Sequence, residues 1–234
     1  MKFNLDKCHV LHFGGKNKRR DYHLCNTALS HVTEEKDLGV VISEDMKAEK
    51  NVARNVKKAD KILGMIRRTF SYMNKDMLQQ LIKVFIRPHL EYAQQAWSPH
   101  LKKDISLLES VQRRATKLLD SIASLSYEEH LKFLNLYSIE DRLKRGDMIL
   151  MYRIMNDDLN IKRELPFPVL KETSTRGHHL KIDLGKPAHL DVRRNFFSQR
   201  VIIPWNELPQ YVAESCSIDS FKFNYDKWCG KISN

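Results

Sequence analysis

MKAEKNVARNVKKADKILGMIRRTF, residues 46–70, decides how the chain is read. Val52, Val56, Ala59, Leu63, Ile66 and Phe70 recur at alternating steps of four and three, which puts them on one side of a helix and makes that side core. Lys50, Arg54, Lys57, Lys61 and Arg68 fall mostly on the other side. The stretch holds eight Lys or Arg against Glu49 and Asp60, a net of +6 within one helix. A helix that only needs solvation usually mixes both signs, so contact with a phosphate backbone is the leading expectation. Lys50, Arg54, Lys57 and Lys61 form the row best able to track a strand, and a merely solvated face is the alternative.

The next helices follow from their caps and periods. Asn74 caps a segment with Met77, Leu78, Leu81, Ile82 and Phe85 inward, and Pro88 forces a kink or break before HLEYAQQAW. A third helix runs from about Lys102 to Leu119, with Ile105, Leu108, Val111, Ala115 and Leu119 inward; Arg113, Arg114 and Lys117 near its end, with Arg68 of the first helix, are further candidates for contact with a nucleic-acid backbone. Ser126 and Glu129 form a capping box for a short fourth helix. Ser138 caps a fifth, reaching about Met155 and tolerating Gly146. NDDLNIKRELPFPVLKETSTRG reads as a linker or long loop, HHLKIDL as a strand, and NFFSQRVIIPWNELP as an apolar helix interrupted by proline. Ser217 caps a last helix with Phe221, Tyr225 and Trp228 on one face.

Before residue 46 the signals are those of strands. CHVLHF, YHLC and LGVVI are separated by the turn-like GGKNKRRD and NTALSHVTEEKD, which predicts an antiparallel meander. Gly39 inside LGVVI suits a bulge or a close approach by another backbone. The fold class expected is α+β, mostly helical. Residues 1–43 form a small sheet, 44–122 a helical bundle, 123–160 a helical extension and 161–234 a mixed C-terminal segment.

The 234 residues, 42% of them hydrophobic, suffice for one large domain or two small ones with a real core. Forty Lys+Arg against 29 Asp+Glu leave a formal charge of +11, which favours polyanionic partners such as nucleic acid or an anionic membrane surface. Cys8, Cys25, Cys216 and Cys229 form no CxxC pair, which argues against a zinc knuckle or a dense disulfide framework and for a reducing compartment. Lys2, Asp6 and Lys7 interrupt any apolar run at the start, and no eighteen apolar residues occur in succession. A soluble intracellular protein of cytoplasm or nucleus, with no membrane partner, is expected.

Enzymatic constellations are sparse. Asp157-Asp158 is the tempting metal pair, but it sits at the end of a helix with no third carboxylate placed beside it, so a solvated loop is the reading. His9 and His12, like His178 and His179, fit no HExxH or Cys/His cluster and read as surface or structural. No GxSxG elbow or cysteine signature supports a hydrolase. Gly14-Gly15-Lys16 with Lys18, Arg19 and Arg20 lacks P-loop spacing and reads as a basic hairpin loop. In RPHLEYAQQAWSP, Arg87, Glu91, Tyr92 and Trp97 anchor neighbouring helices, or Tyr92 and Trp97 stack on bases; packing is favoured.

Five stretches in consistent order then carry a resemblance: EEKDLGVVISEDMK, KKADKILGMIRRTF, IRPHLEYAQQAWSPHLKKDISLLESVQRRATKLL, LSYEEHLKFLNLYSIEDRLKRGDMI and VRRNFFSQRVIIPWNELP. Together they resemble the C-terminal part of the reverse transcriptase, an RNA-directed DNA polymerase, of non-LTR retrotransposons of the jockey and chicken-repeat type. The resemblance implies that FNxxKC, with Asn4 and Lys7, follows the catalytic palm strands and carries the palm motif's lysine, which assists departure of pyrophosphate. It implies that Leu38 and Gly39 belong to a primer-grip hairpin, and that the helices after it form the thumb. Residues 1–43 would then be a palm remnant, 44–122 a thumb-like bundle and the partner an RNA/DNA template-primer.

The family's metal-binding aspartates, including its YxDD loop, come before FNxxKC, where this sequence has only Met1 and Lys2. The expectation is therefore a fragmentary frame, inactive alone, with no metal or cofactor of its own, although Mg2+ belongs to the complete enzyme. The function the resemblance implies as inherited is RNA-directed DNA synthesis on a template-primer; what these residues carry is at most nucleic-acid binding. The alternative from another class is an interaction protein packing its helices on a partner, such as the missing polymerase half.

Overall fold

Asn4 opens the first element by accepting the Asp6 N–H with its side chain at 3.0 Å, which caps a single 3-10 turn, Leu5–Lys7. The computed structural model describes residues 4–159, 161, 166–170, 177–185 and 188–231. They fall into two units, Met1–Ala93 with Pro99–Leu136, and Gln94–Ser98 with Tyr137–Asn234. The fold is α+β and mostly helical. Segments 1–43 and 44–122 thus lie, but for residues 94–98, in one unit.

The strands of the first unit are β1 (His9–Leu11), β2 (His23–Leu24), β3 (Thr27–Ala28), β4 (Ser30–Val32), β5 (Glu34–Asp37) and β6 (Val40–Ser43). They do not form the expected meander. β1 pairs with β4 in parallel, in the register His9↔Ser30 to Leu11↔Val32, while β2–β3 and β5–β6 are separate antiparallel hairpins. The turn-like NTALSHVTEEKD supplies three of these strands. Asn26 adopts a positive φ of 62° in the tight turn after β2, and β5, EEKD, has no strand propensity and is held by its pairing with β6.

α1 (Glu49–Thr69) begins after Met46, whose φ of 56° is incompatible with a helix. Val52, Ala59, Leu63 and Ile66 are buried as the spacing requires. α2 (Lys75–Leu81) is capped by Asn74, which accepts the Met77 N–H at 2.9 Å. A π-helical turn, Ile82–Ile86, then leads into α3 (Arg87–Glu91). This is how the predicted kink is realised. In a continuous α-helix the Pro88 ring would strike the carbonyl of Val84, and one wider turn relieves it without ending the helix.

α4 (Gln94–Trp97) belongs to the second unit. α5 (Lys102–Thr116) and α6 (Tyr127–Phe133) complete the first, the latter with both bonds of the capping box, Ser126 N–H to Glu129 at 2.8 Å and Glu129 N–H to Ser126 at 3.3 Å. Leu78, Ile82, Ile86, Leu90, Leu108, Val111, Ala115 and Leu134 are wholly buried and form the centre of this unit. His130 is structural: it is buried between Thr116 Oγ1 at 3.0 Å and the Ile122 carbonyl at 2.6 Å.

The second unit is built on α7 (Ile139–Met155), capped by Ser138 as predicted. α8 (Asp191–Arg194), α9 (Phe197–Arg200), α10 (Ile202–Asn206), α11 (Gln210–Ala213) and α12 (Ile218–Trp228) follow. NFFSQRVIIPWNELP is therefore two short helices rather than one. Pro204 sits in the first turn of α10, where its missing N–H forfeits no helical bond. Gly146 in α7 leaves room for Gln94, whose Nε2 would lie 2.6 Å from an added Cβ. Ser217 caps α12; Phe221 and Tyr225 are buried on one face while Trp228 is half exposed.

HHLKIDL is not a strand. Among the described residues its one ladder contact is a bridge between Val169 and Ile182; Glu214 accepts the His179 N–H at 2.9 Å, and side chains of α10 take three further backbone groups. Trp205 Nε1 donates to the Leu180 carbonyl at 2.8 Å, and Asn206 both accepts from Ile182 N at 2.9 Å and donates to Ile182 O at 2.8 Å. Half of the predicted linker, residues 160, 162–165 and 171–176, lies outside the described residues, while Phe167 within it is buried in the core with Trp205.

His178 is also buried, its Nε2 donating to the Trp205 carbonyl at 2.9 Å while Nδ1 has no partner. Burial holds the ring below the ordinary value of 6.5. Between the folded and unfolded values the unfolded chain binds more protons, so this contribution is complete above 6.5 and is lost as pH falls below it. Melting at pH 7.5 and 5.5 should show a larger fall in Tm for the wild type than for His178→Gln; equal falls would place the histidine outside the coupling.

Candidate nucleic-acid interface

At ~100° per residue, Lys50, Arg54, Lys57, Lys61 and Arg68 lie within about 60° of arc on α1. The row read from the sequence is one stripe, but its two ends have different occupations. Its N-terminal end is committed to the β5–β6 hairpin. Lys50 Nζ pairs with the Glu34 carboxylate, which raises the lysine's pKa, and Arg54 Nη1 donates to the Gly39 carbonyl at 2.8 Å. Beside them the buried Asn51 accepts the Val41 N–H at 2.8 Å and donates to the Val41 carbonyl.

The hairpin those side chains hold is the stretch that carries Leu38 and Gly39. Neither is in a strand; both form the turn between β5 and β6, with φ of 45° and 86°. Positive φ at both central residues matches the right-handed twist of the flanking strands. Leucine in that region costs on the order of 1 kcal/mol, and its side chain is 84% exposed. Gly39 meets a close neighbour, as its place in LGVVI suggested, but a side chain rather than backbone: a Cβ there would lie 3.2 Å from the Tyr92 ring. Tyr92 in turn donates its hydroxyl to the Leu38 carbonyl at 2.9 Å. A strained, exposed apolar tip is thus held from α1 and from the end of α3.

Toward its C-terminal end the stripe is open. Lys57, Lys61 and Arg68 are exposed and, among the described residues, have no hydrogen-bond or ion-pair partner. Lys58 next to them is held below the ordinary lysine value, first by burial and then by the charges of Arg54 and Lys36. Positive charge is therefore concentrated where α1 leaves the hairpin.

The α5 cations predicted to join this surface are spent in three ways. Arg113 lies over the Tyr127 ring, 4.7 Å from its centroid, and Arg114 pairs with Asp60 of α1 at 2.5 Å. Lys117 is exposed and unpaired among the described residues. Lys7 is exposed at the end of the first 3-10 turn, where Asn4 O accepts its N–H at 3.1 Å, with no ion pair among the described residues. RPHLEYAQQAWSP divides between the units. Arg87, Leu90 and Tyr92 serve the first, while Gln94 and Trp97 are buried in the second.

Comparison with protein-family models, curated proteins and solved structures finds no match to this chain. Among the described residues no group of three or more His, Cys, Asp or Glu is placed to hold a metal, and Asp157 and Asp158 are exposed beyond the end of α7. Among the same residues no helix is long and apolar enough to cross a membrane.

Sequence reasoning missed Asn51 and took Lys50 and Arg54 as free. The available signal was DLG followed by VVIS, a turn of two positive-φ residues before a strand, which demands partners for the turn carbonyls. Asn51→Ala strands the N–H and C=O of Val41 in a partly buried place and should cost about 1–3 kcal/mol. Amide exchange read at Val41 should accelerate in that variant; unchanged protection would mean that the hairpin stands without its tether.

Proposed function

We propose that this chain grips nucleic acid by its phosphate backbone, as the thumb-like part of a reverse transcriptase of the non-LTR retrotransposon kind, with an RNA/DNA template-primer as its partner. The observation that carries the reading is the open stripe of Lys57, Lys61 and Arg68 on a helix whose other end is fixed to a strained hairpin. Support also comes from the order of the five family-like stretches and from the position of DLGV at the hairpin's turn. Backbone contact by unpaired cations is sequence-independent and salt-dependent. Direct reading of bases is not part of this function, and catalysis is not assigned to these residues.

The test is binding of a labelled RNA–DNA primer-template by the purified chain and by Lys57→Glu/Lys61→Glu/Arg68→Glu. Loss in the variant with an unchanged melting temperature supports the reading, whereas equal affinity refutes it.

A second reading, an interaction module that packs on a partner, is favoured by the exposure of Phe13, Tyr22 and Leu38 within the first 43 residues. Native mass separates the two: a defined self-associated or partner-bound species that excludes nucleic acid supports the second.

A further inference from the structure

A cavity of about 1000 Å3 opens within the first unit, lined by the C-terminal half of α1, residues 71–74 and the end of α5. Its wall carries four cations, Arg67, Lys75, Arg114 and Lys117, against the carboxylates of Asp60 and Asp120. Asp60 is already engaged by Arg114. Lys75 lies 4.8 Å from the centroid of the Phe133 ring, and Arg67 and Lys117 are without a hydrogen-bond or ion-pair partner among the described residues.

Tyr72 stands at the same opening with 76% of its surface exposed. The segment that presents it is short and fixed at both ends. Phe70 N–H closes α1 on the Ile66 carbonyl at 3.1 Å, and Asn74 caps α2. A large aromatic face held out to solvent beside unpaired cations is the arrangement that binds unpaired nucleotides, whose bases stack on the ring while their phosphates meet the cations. A duplex offers no free base face to such a ring, and Arg67 lies roughly 100° around α1 from the middle of the Lys57–Arg68 stripe.

We propose that this cavity is a second nucleic-acid site that takes a single strand, with a base on Tyr72 and phosphates on Arg67, Lys75 and Lys117. The proposal rests on the reading of the chain as a nucleic-acid binder but uses different side chains from the duplex-gripping stripe.

Fluorescence anisotropy with a labelled ten-nucleotide oligo(dT) and with a blunt RNA–DNA duplex separates the two. Tyr72→Ala should weaken oligo(dT) binding about tenfold, Tyr72→Phe should leave it within about twofold, and neither should alter duplex binding. Tyr72 is exposed, so these variants keep the fold; Lys117→Glu provides an independent loss through charge. Oligo(dT) binding that is indifferent to Tyr72→Ala, or displaced by inorganic tripolyphosphate as readily as by unlabelled oligo(dT), would overturn the proposal in favour of a simple anion site. Duplex binding without oligo(dT) binding overturns the cavity and leaves the stripe standing. Failure to bind either overturns both.

Discussion

Reversing Lys57, Lys61 and Arg68 together to glutamate is expected to lower affinity for an RNA–DNA duplex at least about a hundredfold at 50 mM salt, with no loss of melting temperature. Three exposed cations that make no ion pair in the fold among the described residues are replaced by three anions facing the phosphates, so attraction becomes repulsion at every position. The matched control is Lys50→Glu/Arg54→Glu. Those two side chains hold Glu34 and the Gly39 carbonyl, so their reversal should loosen the hairpin and lower Tm as well as binding. If instead the first variant melts early, or the second binds weakly with its Tm intact, the division of the stripe into an open and a committed half is wrong.

The largest effect on stability is expected at Asp147. Its carboxylate is buried and receives both Arg200 Nε and Nη2, at 2.8 and 3.0 Å, together with Gln94 Nε2 at 3.2 Å. Arg200 also donates to the carbonyls of Gln95 and Asn195. Burial outweighs these partners and holds the Asp147 carboxyl above its ordinary value, so the intact pair adds little by itself. Asp147→Ala is different, since it leaves the guanidinium partly buried with no counter-charge. A loss of about 3–5 kcal/mol is expected, read by urea unfolding of the whole chain. Asp147→Leu/Arg200→Met, which removes both charges, should recover most of it. A small loss in the single variant would mean that solvent reaches Arg200 and that the pair is a surface feature.

What could be read from the sequence divides along a physical line. α1, α5, α7 and α12 were legible because each has a long apolar period and a terminus marked by a cap or a charge, and those signals are local. The sheet was not. β1 and β4 pair across about twenty residues, a non-local choice that alternation of side chains cannot specify, and β5 is a run of four charged residues made into a strand by its partner. The same limit governs the site. Charge periodicity located the stripe, but which cations remain open depends on where the hairpin lies, and that is set by Asn51, Arg54 and Tyr92 acting across sequence separations of 10, 15 and 54 residues. VRRNFFSQRVIIPWNELP was conspicuous without a reason; Arg200, Trp205 and Asn206 supply one, as the anchors of Asp147, Leu180 and Ile182.

Contact between the open stripe of α1 and a phosphate backbone is read from the salt dependence of duplex binding by the wild-type chain. Three released counterions predict that log Kobs falls with log salt by a slope of at least about 2.7. The stripe variant should lose that slope, in step with about one unit for each lysine or arginine reversed. A slope near zero, or one shared by wild type and variant, would leave the basic face of α1 as solvation alone.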